Sequence, residues 1–252
     1  MSRNSFRLAF DEDAYKSLDI LAASAVLDVS LCNLGWSDKL IGHVAIQARE
    51  ELNDLWKDWA NTHKDRRFAT PPTAVTALFD EDNCRLFICT SVKGMRADSS
   101  FLDRLSPERR IFIDKILSLS SEEGVEPGKY SWHMFQANCA EVHALCQWHL
   151  ARPGDACDRL KDAVMATAGG PTGKDAVVPD VVLYNPCGRP PAPNLDRRPP
   201  GCKELMELLR VWPLNRSAFE KCKVEDAQDY SLEPVIKGVN SSKDNKNRSL
   251  VC

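Results

Sequence analysis

The sequence predicts an α/β fold with helices packed on a central sheet, and three patterns indicate it. Residues 38–63 place apolar side chains at helical spacing among polar ones. Residues 73–79 and 85–91 are apolar, β-branched stretches on either side of a short acidic turn, which is typical of a β-hairpin. Residues 177–184 form a further apolar stretch that predicts a buried strand. Strands and helices in this order are typical of helices covering a sheet.

The elements outside these patterns follow from weaker periodicity and from the positions of proline and glycine. Residues 12–63 as a whole are predicted to be helical, because apolar side chains recur at helical spacing over 18–29 as well as over 38–63. The proline-rich stretch 188–201 is predicted to be a loop. Further helices are predicted over 107–120, 139–150, 155–168 and 202–212. We divide the chain into a helical region 1–70, an α/β domain 71–236 and a disordered tail 237–252.

The overall composition is that of an ordinary globular protein. The chain has 252 residues, of which 43% are hydrophobic and 27% charged. Its net charge of -3 argues against sequence-independent nucleic-acid binding, but it leaves room for a local basic groove. No apolar run approaches the roughly 18 residues of a membrane span, and the N-terminus acquires acids where a signal peptide would be apolar. We therefore expect a cytoplasmic or nuclear protein that is not secreted and has no membrane partner.

The chain has ten cysteines, and their wide scatter indicates thiols rather than a disulfide framework. Under reducing conditions most should behave as small buried apolar side chains. Five are expected to do so: Cys32, Cys84, Cys89, Cys146 and Cys157.

Three other cysteines occur with a carboxylate in an ordered pattern. Cys139 and Glu141 stand at the start of one predicted helix. Cys187 follows a predicted strand, and Cys202 begins the next predicted helix. The dipole and the free N–H groups of a helix N-terminus favour the thiolate that a metal ligand requires. Zinc prefers nitrogen and sulfur ligands, and a catalytic zinc site keeps one open position beside three protein ligands. The pattern therefore indicates a zinc site with an acid/base partner.

These residues resemble the signature of the zinc-dependent cytidine and nucleic-acid deaminase superfamily. The family signature is His-x-Glu followed by Pro-Cys-x-x-Cys, and this chain has Cys-Ala-Glu at 139–141, then Pro186-Cys187, then Cys202. The resemblance implies a three-layer α-β-α deaminase-like sandwich with an N-terminal helical extension. The region 71–236 would then be a deaminase-like α/β domain.

The resemblance also implies a ligand set and a reaction. Zn²⁺ would be the cofactor, bound by Cys139, Cys187 and Cys202. Glu141 would be catalytic, taking a proton from the zinc-bound water and delivering it to the ring nitrogen and the departing amine. The implied activity is hydrolytic deamination of a nucleoside or nucleobase-type small molecule, with nucleic acid as a possible substrate.

Two departures from the family signature bear on this interpretation. Cys139 replaces the usual histidine, and three thiolates make zinc a poorer Lewis acid than a set with histidine. Cys187 and Cys202 are separated by 14 residues where the family has two. A looped-out insertion would leave both cysteines in place, since Cys202 still opens a predicted helix.

The residues around the motif are candidates for substrate binding. By resemblance, Pro186 would place its carbonyl near the departing amine. Asn138 stands beside the ligand cysteine. Trp132 and His133 precede the motif and could stack on a base.

Simpler alternatives remain open at this stage. Asn138 and Glu141 have the spacing of a helix capping box, in which case Cys139 merely occupies a helix end. His143 and Cys146 lie at helical spacing from Cys139 and are alternative ligands. The functional alternative is a catalytically inactive deaminase-like or helical protein-interaction module.

Overall fold

A computed structural model describes the parts of the chain that form the sheet and the helices beside it. Every structural statement below concerns these parts alone. They comprise residues 8–18, 20–28, 38–63, 70–94, 111–112, 138–151, 160, 163–169, 181–187 and 201–214.

Within these parts, helices and strands follow one another in a mixed order. The strands are β1 (Ala9–Phe10), β2 (Ile20–Leu21), β3 (Ala23–Asp28), β4 (Ala74–Asp80), β5 (Arg85–Thr90), β6 (Lys93–Gly94), β7 (Val164–Gly169), β8 (Val182–Tyr184) and β9 (Trp212–Leu214). The helices are α1 (Glu12–Leu18), α2 (Asp38–Thr62), α3 (Ala140–Ala151) and α4 (Cys202–Leu209).

The main sheet has the strand order β1-β3-β5-β4-β7-β8, and β9 also pairs with β7. Strands β8 and β9 therefore share one edge of β7. Strand β8 runs antiparallel along the end of β7, where Tyr184 pairs with Thr167. Strand β9 runs parallel along its beginning, where Leu214 pairs with Ala166. The two outer strands meet end to end beside Thr167, which places a break in the sheet next to that residue.

The predicted hairpin is confirmed. Strands β4 and β5 pair antiparallel from Val75–Thr90 to Asp80–Arg85. A 3₁₀ turn, Glu81–Asn83, connects them, and Cys84 closes it in the left-handed conformation with φ of 51°. The predicted helix over 38–63 is also confirmed, as α2.

Helices cover both faces of the sheet. Alternate residues of β4, among them Val75 and Ala77, join one hydrophobic cluster with α2. The intervening Leu78 joins a second cluster with α3 and α4. Because successive side chains of a strand point to opposite faces, the two clusters lie on opposite sides of the sheet. The predicted α/β class is therefore confirmed.

Two predicted helices are wrong in part. Residues 18–29 were expected to be helical, but Ile20–Leu21 and Ala23–Asp28 are strands, and the latter pairs with β5. The predicted helix over 155–168 ends instead in the strand Val164–Gly169. That strand is paired on both edges and mostly buried. Strands buried on both faces lack polar alternation, so their apolar runs are easily taken for helices.

The other predicted elements have shifted ends or lie outside the described residues. The predicted helix over 139–150 is confirmed as Ala140–Ala151, whereas the helix from Cys202 ends at Leu209. Of the predicted strand 177–184, the described part is Val182–Tyr184. The tail 237–252 and most of the predicted helix 107–120 lie outside the described residues, and the proposed domain boundaries stay predictions.

The cysteines expected to be buried thiols differ among themselves. Cys89 and Cys146 are buried and carry no disulfide, as predicted. Cys84 is half-buried and disulfide-bonded, which corrects the prediction for that residue. Cys32 and Cys157 lie outside the described residues.

No helix in the described part of the chain combines the length and the apolar character needed to cross a membrane. The longest, α2, has 25 residues and carries charged side chains along its length.

Candidate metal centre

The start of α3 lies at one end of the sheet and presents Cys139 there. The Cys139 carbonyl accepts the N–H of His143 at 3.1 Å, so Cys139 is the residue that caps the helix. The preceding Asn138 carbonyl accepts the N–H of Val92 at 2.9 Å, just beyond the end of β5. The helix start is therefore held against the end of the hairpin.

The start of α4 holds Cys187. Cys202 is the first residue of α4, and its N–H donates to Cys187 Sγ at 3.2 Å. The next N–H, of Lys203, donates to the Cys187 carbonyl at 2.8 Å. These two donors are among the N–H groups that a helix N-terminus leaves without partners inside the helix. Donation to sulfur favours the thiolate, and such contacts orient metal ligands.

The three sulfur atoms come together although they are far apart in sequence. The Sγ atoms of Cys139, Cys187 and Cys202 all lie within 4.8 Å of one another. The Sγ atoms of Cys139 and Cys187 are 3.7 Å apart. Tetrahedral zinc with bonds to sulfur of about 2.3 Å separates its sulfurs by about 3.8 Å. The three cysteines are therefore close enough to bind a metal ion, and the 14 residues between Cys187 and Cys202 do not prevent it.

In the metal-free protein, the surroundings of Cys139 and Cys202 oppose ionisation of both thiols. Hydrogen bonding with Cys187, together with burial, raises the pKa of Cys139. Hydrogen bonding with Cys139, then with Cys187, and burial raise the pKa of Cys202 well above its usual range. A cation would reverse this preference, because a metal ion stabilises the thiolate form.

Glu141 lies beside the sulfurs, in the first turn of α3. Glu141 is buried, with 6% of its surface exposed. The Cys202 thiol donates to Glu141 Oε2 at 3.7 Å, and the Thr167 hydroxyl donates to Oε1 at 3.0 Å. Burial is the main cause that raises the pKa of Glu141. The carboxyl group is thus oriented at both oxygens, with one of them on the side of the metal ligands.

A second threonine supports the first. Thr76 Oγ1 lies 2.7 Å from Thr167 Oγ1, and both residues are buried. Because the single hydroxyl hydrogen of Thr167 goes to Glu141, Thr76 is the donor of this second bond. Sequence reasoning missed both threonines, since Thr167 was placed in a predicted helix and Thr76 in a hairpin with no known neighbour.

The side-chain oxygen of Asn138 neither caps the helix nor accepts another hydrogen bond from the described residues. The Oδ1 atom is fully buried and has no hydrogen-bond partner among the described residues. The capping-box alternative is therefore wrong, since the Glu141 carboxyl turns to Thr167 and Cys202 instead. A buried acceptor without a partner costs free energy, which a ligand N–H or O–H at this position would recover.

The remaining predicted residues have simple outcomes. Pro186 is half-buried and directly precedes Cys187. Trp132 and His133 lie outside the described residues. The ring nitrogens of His143 contact the Thr90 carbonyl at 3.0 Å and the Gln147 amide at 3.4 Å. Among the described residues the metal-binding group consists of the three cysteines, without His143 or Cys146.

Comparisons of the chain with protein-family models, with curated proteins and with solved structures give no match. The functional argument therefore depends on the geometry of the site and on the resemblance of its motif.

Proposed function

We propose that the protein is a zinc-dependent hydrolytic deaminase that acts on a nucleoside or nucleobase-type ring. The observation that supports this most is the meeting of three cysteine sulfurs with one buried carboxyl group. Glu141 Oε2 lies 3.7 Å from Cys202 Sγ, and the three sulfurs lie within 4.8 Å of one another. The Cys139 and Cys187 sulfurs, 3.7 Å apart, have the spacing of a tetrahedral metal site.

The order of elements supports the same proposal. The Cys-Ala-Glu helix α3 follows the β4–β5 hairpin, and the strand β7 comes next. Pro186-Cys187 then precedes the helix that begins at Cys202. Apart from the additional strand β7, this is the order that the resemblance to the deaminase superfamily implies, with β8 as the strand that leads into Pro186-Cys187. The helices that carry the cysteines, α3 and α4, pack on one face of the sheet.

The chain supplies the proton transfer and the binding groups. A bound zinc ion would supply an activated water for the attack on the ring. Glu141 has one oxygen held by Thr167, and its other oxygen accepts from the Cys202 thiol. If Cys202 gives up its proton to bind a metal, that second oxygen would be the one to accept a proton and return it to the substrate. The unpartnered Oδ1 of Asn138 is an acceptor suited to an N–H or O–H of the substrate.

Metal analysis tests the ligand set. We expect about one zinc per chain in the purified protein, and we expect C187S and C202S to lose most of it. Cys146→Ala is the matched control, because Cys146 is a buried cysteine of α3 outside the sulfur cluster. Full zinc content in C187S and C202S would rule out the proposed ligand set.

Ammonia release tests the reaction. We expect release from at least one member of a panel of nucleosides and single-stranded nucleic acids. Glu141→Gln should retain zinc and abolish release, whereas Glu207→Gln, an exposed carboxyl of α4, should change neither. Equal rates for E141Q and the unchanged protein would exclude Glu141 as the catalytic acid/base.

A second candidate function follows from the burial of the site. Cys202 is 1% exposed and Glu141 is 6% exposed. Structural zinc sites are closed in this way, whereas catalytic sites keep one position open. On this alternative the metal stabilises a deaminase-like interaction module that has no activity. Cobalt substitution separates the two, because added cyanide or azide changes the visible spectrum of an open site and leaves that of a closed site unchanged.

A further inference from the structure

We propose that Arg49, with Asn53 and Tyr184, binds the phosphate group of a nucleotide at the sheet end that carries the cysteine cluster. The assignment of a nucleotide rests on the proposed function. The oxyanion site itself depends on the surroundings of the Arg49 guanidinium.

Arg49 is a buried cation that has no acidic partner among the described residues. The residue lies in α2 and is 4% exposed. Its Nε donates to the Thr73 carbonyl at 3.3 Å, and its Nη1 donates to Asn53 Oδ1. Its Nη2 has no hydrogen-bond partner among the described residues, and it is not one of the fully buried unsatisfied atoms. This nitrogen therefore has hydrogens left for a ligand, and it is not completely enclosed.

The neighbouring acids of α2 do not neutralise this charge. Glu50 is exposed, and the exposed Asp54 pairs with Lys57 at 2.8 Å. A guanidinium stays protonated in proteins, so its burial without a counter-ion costs free energy. Burial accordingly lowers the pKa of Arg49, while the nearby phenol of Tyr184 acts in the opposite direction. An oxyanion beside Arg49 would supply the missing counter-charge.

Two further donors stand next to the guanidinium. Asn53 accepts from Arg49 through Oδ1, which leaves the two hydrogens of its amide nitrogen for a ligand. Tyr184 is 43% exposed, and its ring passes directly over Gly169. A Cβ at residue 169 would lie 2.3 Å from Tyr184 Cε2 and 3.1 Å from the Thr73 carbonyl oxygen. The absent side chain of Gly169 thus lets the Tyr184 ring reach towards the carbonyl that Arg49 binds.

This donor group lies at the same end of the sheet as the cysteines. Gly169 ends β7 and is two residues, roughly 7 Å, from Thr167, whose hydroxyl bonds Glu141. Tyr184 pairs directly with Thr167 and stands three residues before Cys187. Arg49 lies on α2 and Glu141 on α3, which cover opposite faces of the sheet. The phosphate of a ring held at Glu141 would therefore have to pass round the sheet end beside Gly169 to reach Arg49. The planar fork of arginine is suited to phosphate oxygens.

The binding test uses the full chain. Its probes are inorganic phosphate and two pairs of a nucleoside and its nucleotide, namely cytidine with cytidine monophosphate and adenosine with adenosine monophosphate. Isothermal titration should show saturable phosphate binding, and each nucleotide should bind more tightly than its nucleoside. Arg49→Gln should weaken phosphate and nucleotide binding by about tenfold or more, since a charge-assisted contact is lost. Lys57→Gln removes an exposed charge from the same helix and should leave both affinities unchanged.

Equal phosphate affinity for R49Q and the unchanged protein would overturn the site, as would equal affinity for a nucleotide and its nucleoside. If R49Q does not fold, Tyr184→Phe decides, because it removes one donor from an exposed ring and should weaken phosphate binding severalfold. Repeating the phosphate titration after zinc removal separates the two proposals. Phosphate binding without ammonia release from any substrate contradicts the deaminase proposal alone, whereas ammonia release without phosphate binding contradicts the oxyanion site alone.

Discussion

The orientation of the Glu141 carboxyl depends on residues that are distant in sequence. Thr167 holds one carboxyl oxygen and Thr76 holds Thr167, at 3.0 and 2.7 Å. Cys202 approaches the other oxygen. On the proposed function, a carboxyl group fixed in this way would be positioned for proton transfer before any substrate binds, which is how supporting hydrogen bonds contribute to catalysis.

Removal of the Thr167 hydroxyl should therefore reduce the rate more than it reduces metal binding. We expect Thr167→Val to retain zinc and to lower kcat for ammonia release by about 10- to 100-fold, with a smaller change in KM. Thr167→Ser restores the hydroxyl and should recover most of the rate. A T167V protein as active as the T167S protein would show that this hydrogen bond does not position Glu141.

Burial of Glu141 should also make the free energy of unfolding depend on pH. The pKa of Glu141 is raised in the folded protein. Its contribution to the free energy of unfolding is therefore fully present below the pKa of the unfolded chain, and it is lost as pH rises through the pKa of the folded protein. In metal-free protein, E141Q should therefore gain stability over the unchanged chain as pH rises above about 4.5, the ordinary value. The gain has an upper limit of about 1.4 kcal/mol per pH unit.

Urea unfolding of the metal-free proteins between pH 5 and 8 measures this difference. Glu207→Gln is the control, because Glu207 is exposed on α4 and its loss should not produce a difference that changes with pH. A constant difference between E141Q and the unchanged chain over this range would contradict the expected burial effect.

The shape of the site depends on the C-terminal end of β7. Gly169 has no side chain, and the Tyr184 ring from β8 occupies the space beside it. Any Cβ at this position must displace the ring or the strand that carries it. The pairing of β8 with β7 is short, covering residues 167–169 of β7, so it has little capacity to absorb such a change.

We expect Gly169→Ala to destabilise the protein by about 1–3 kcal/mol, as overpacking does elsewhere. Tyr184→Ala should relieve the clash, so the double variant should be more stable than the sum of the two single effects. Chemical denaturation of the four proteins of this cycle provides the coupling free energy. Additive effects would show that Tyr184 does not lie against Gly169.

At the scale of the whole molecule, the cysteine cluster lies where three elements of the described chain meet. Cys139 caps α3, Cys187 follows β8, and Cys202 begins α4, so a bound ion would connect these elements. Ligands that bind only the folded state stabilise it in proportion to the logarithm of their concentration over Kd. A metal at this position would therefore stabilise the packing of both helices on the sheet.

Chelation should accordingly lower the thermal midpoint of the protein, and added zinc should restore it. The effect should be small or absent in Cys187→Ser and should persist in the Cys146→Ala control. Since the pKa values of Cys139 and Cys202 are raised in the metal-free protein, zinc uptake should release protons and should weaken as pH falls. An unchanged midpoint after complete metal removal would contradict a stabilising metal.

Local patterns predicted the hairpin Ala74–Thr90 and the helices α2 and α3, and all three are confirmed. Helix α2 has a wet face, whereas the hairpin strands and most of α3 are buried, so the acidic turn between two apolar runs indicated the hairpin. The strand Val164–Gly169 is paired with β4, β8 and β9, and no short turn joins it to any of them. Its small apolar residues fit a helix equally well when neighbouring strands are unknown.

The sequence by itself determined which groups form the candidate site. The order and spacing of three cysteines and Glu141, and the predicted helix starts beside them, indicated these residues. Only the tertiary structure decided which groups support them. Thr76 and Thr167 are 91 residues apart, and Arg49 meets Thr73 and Tyr184 from three separate elements. Such contacts arise from strand pairing and helix packing, which are non-local, whereas helix starts and turns depend on neighbours a few residues away.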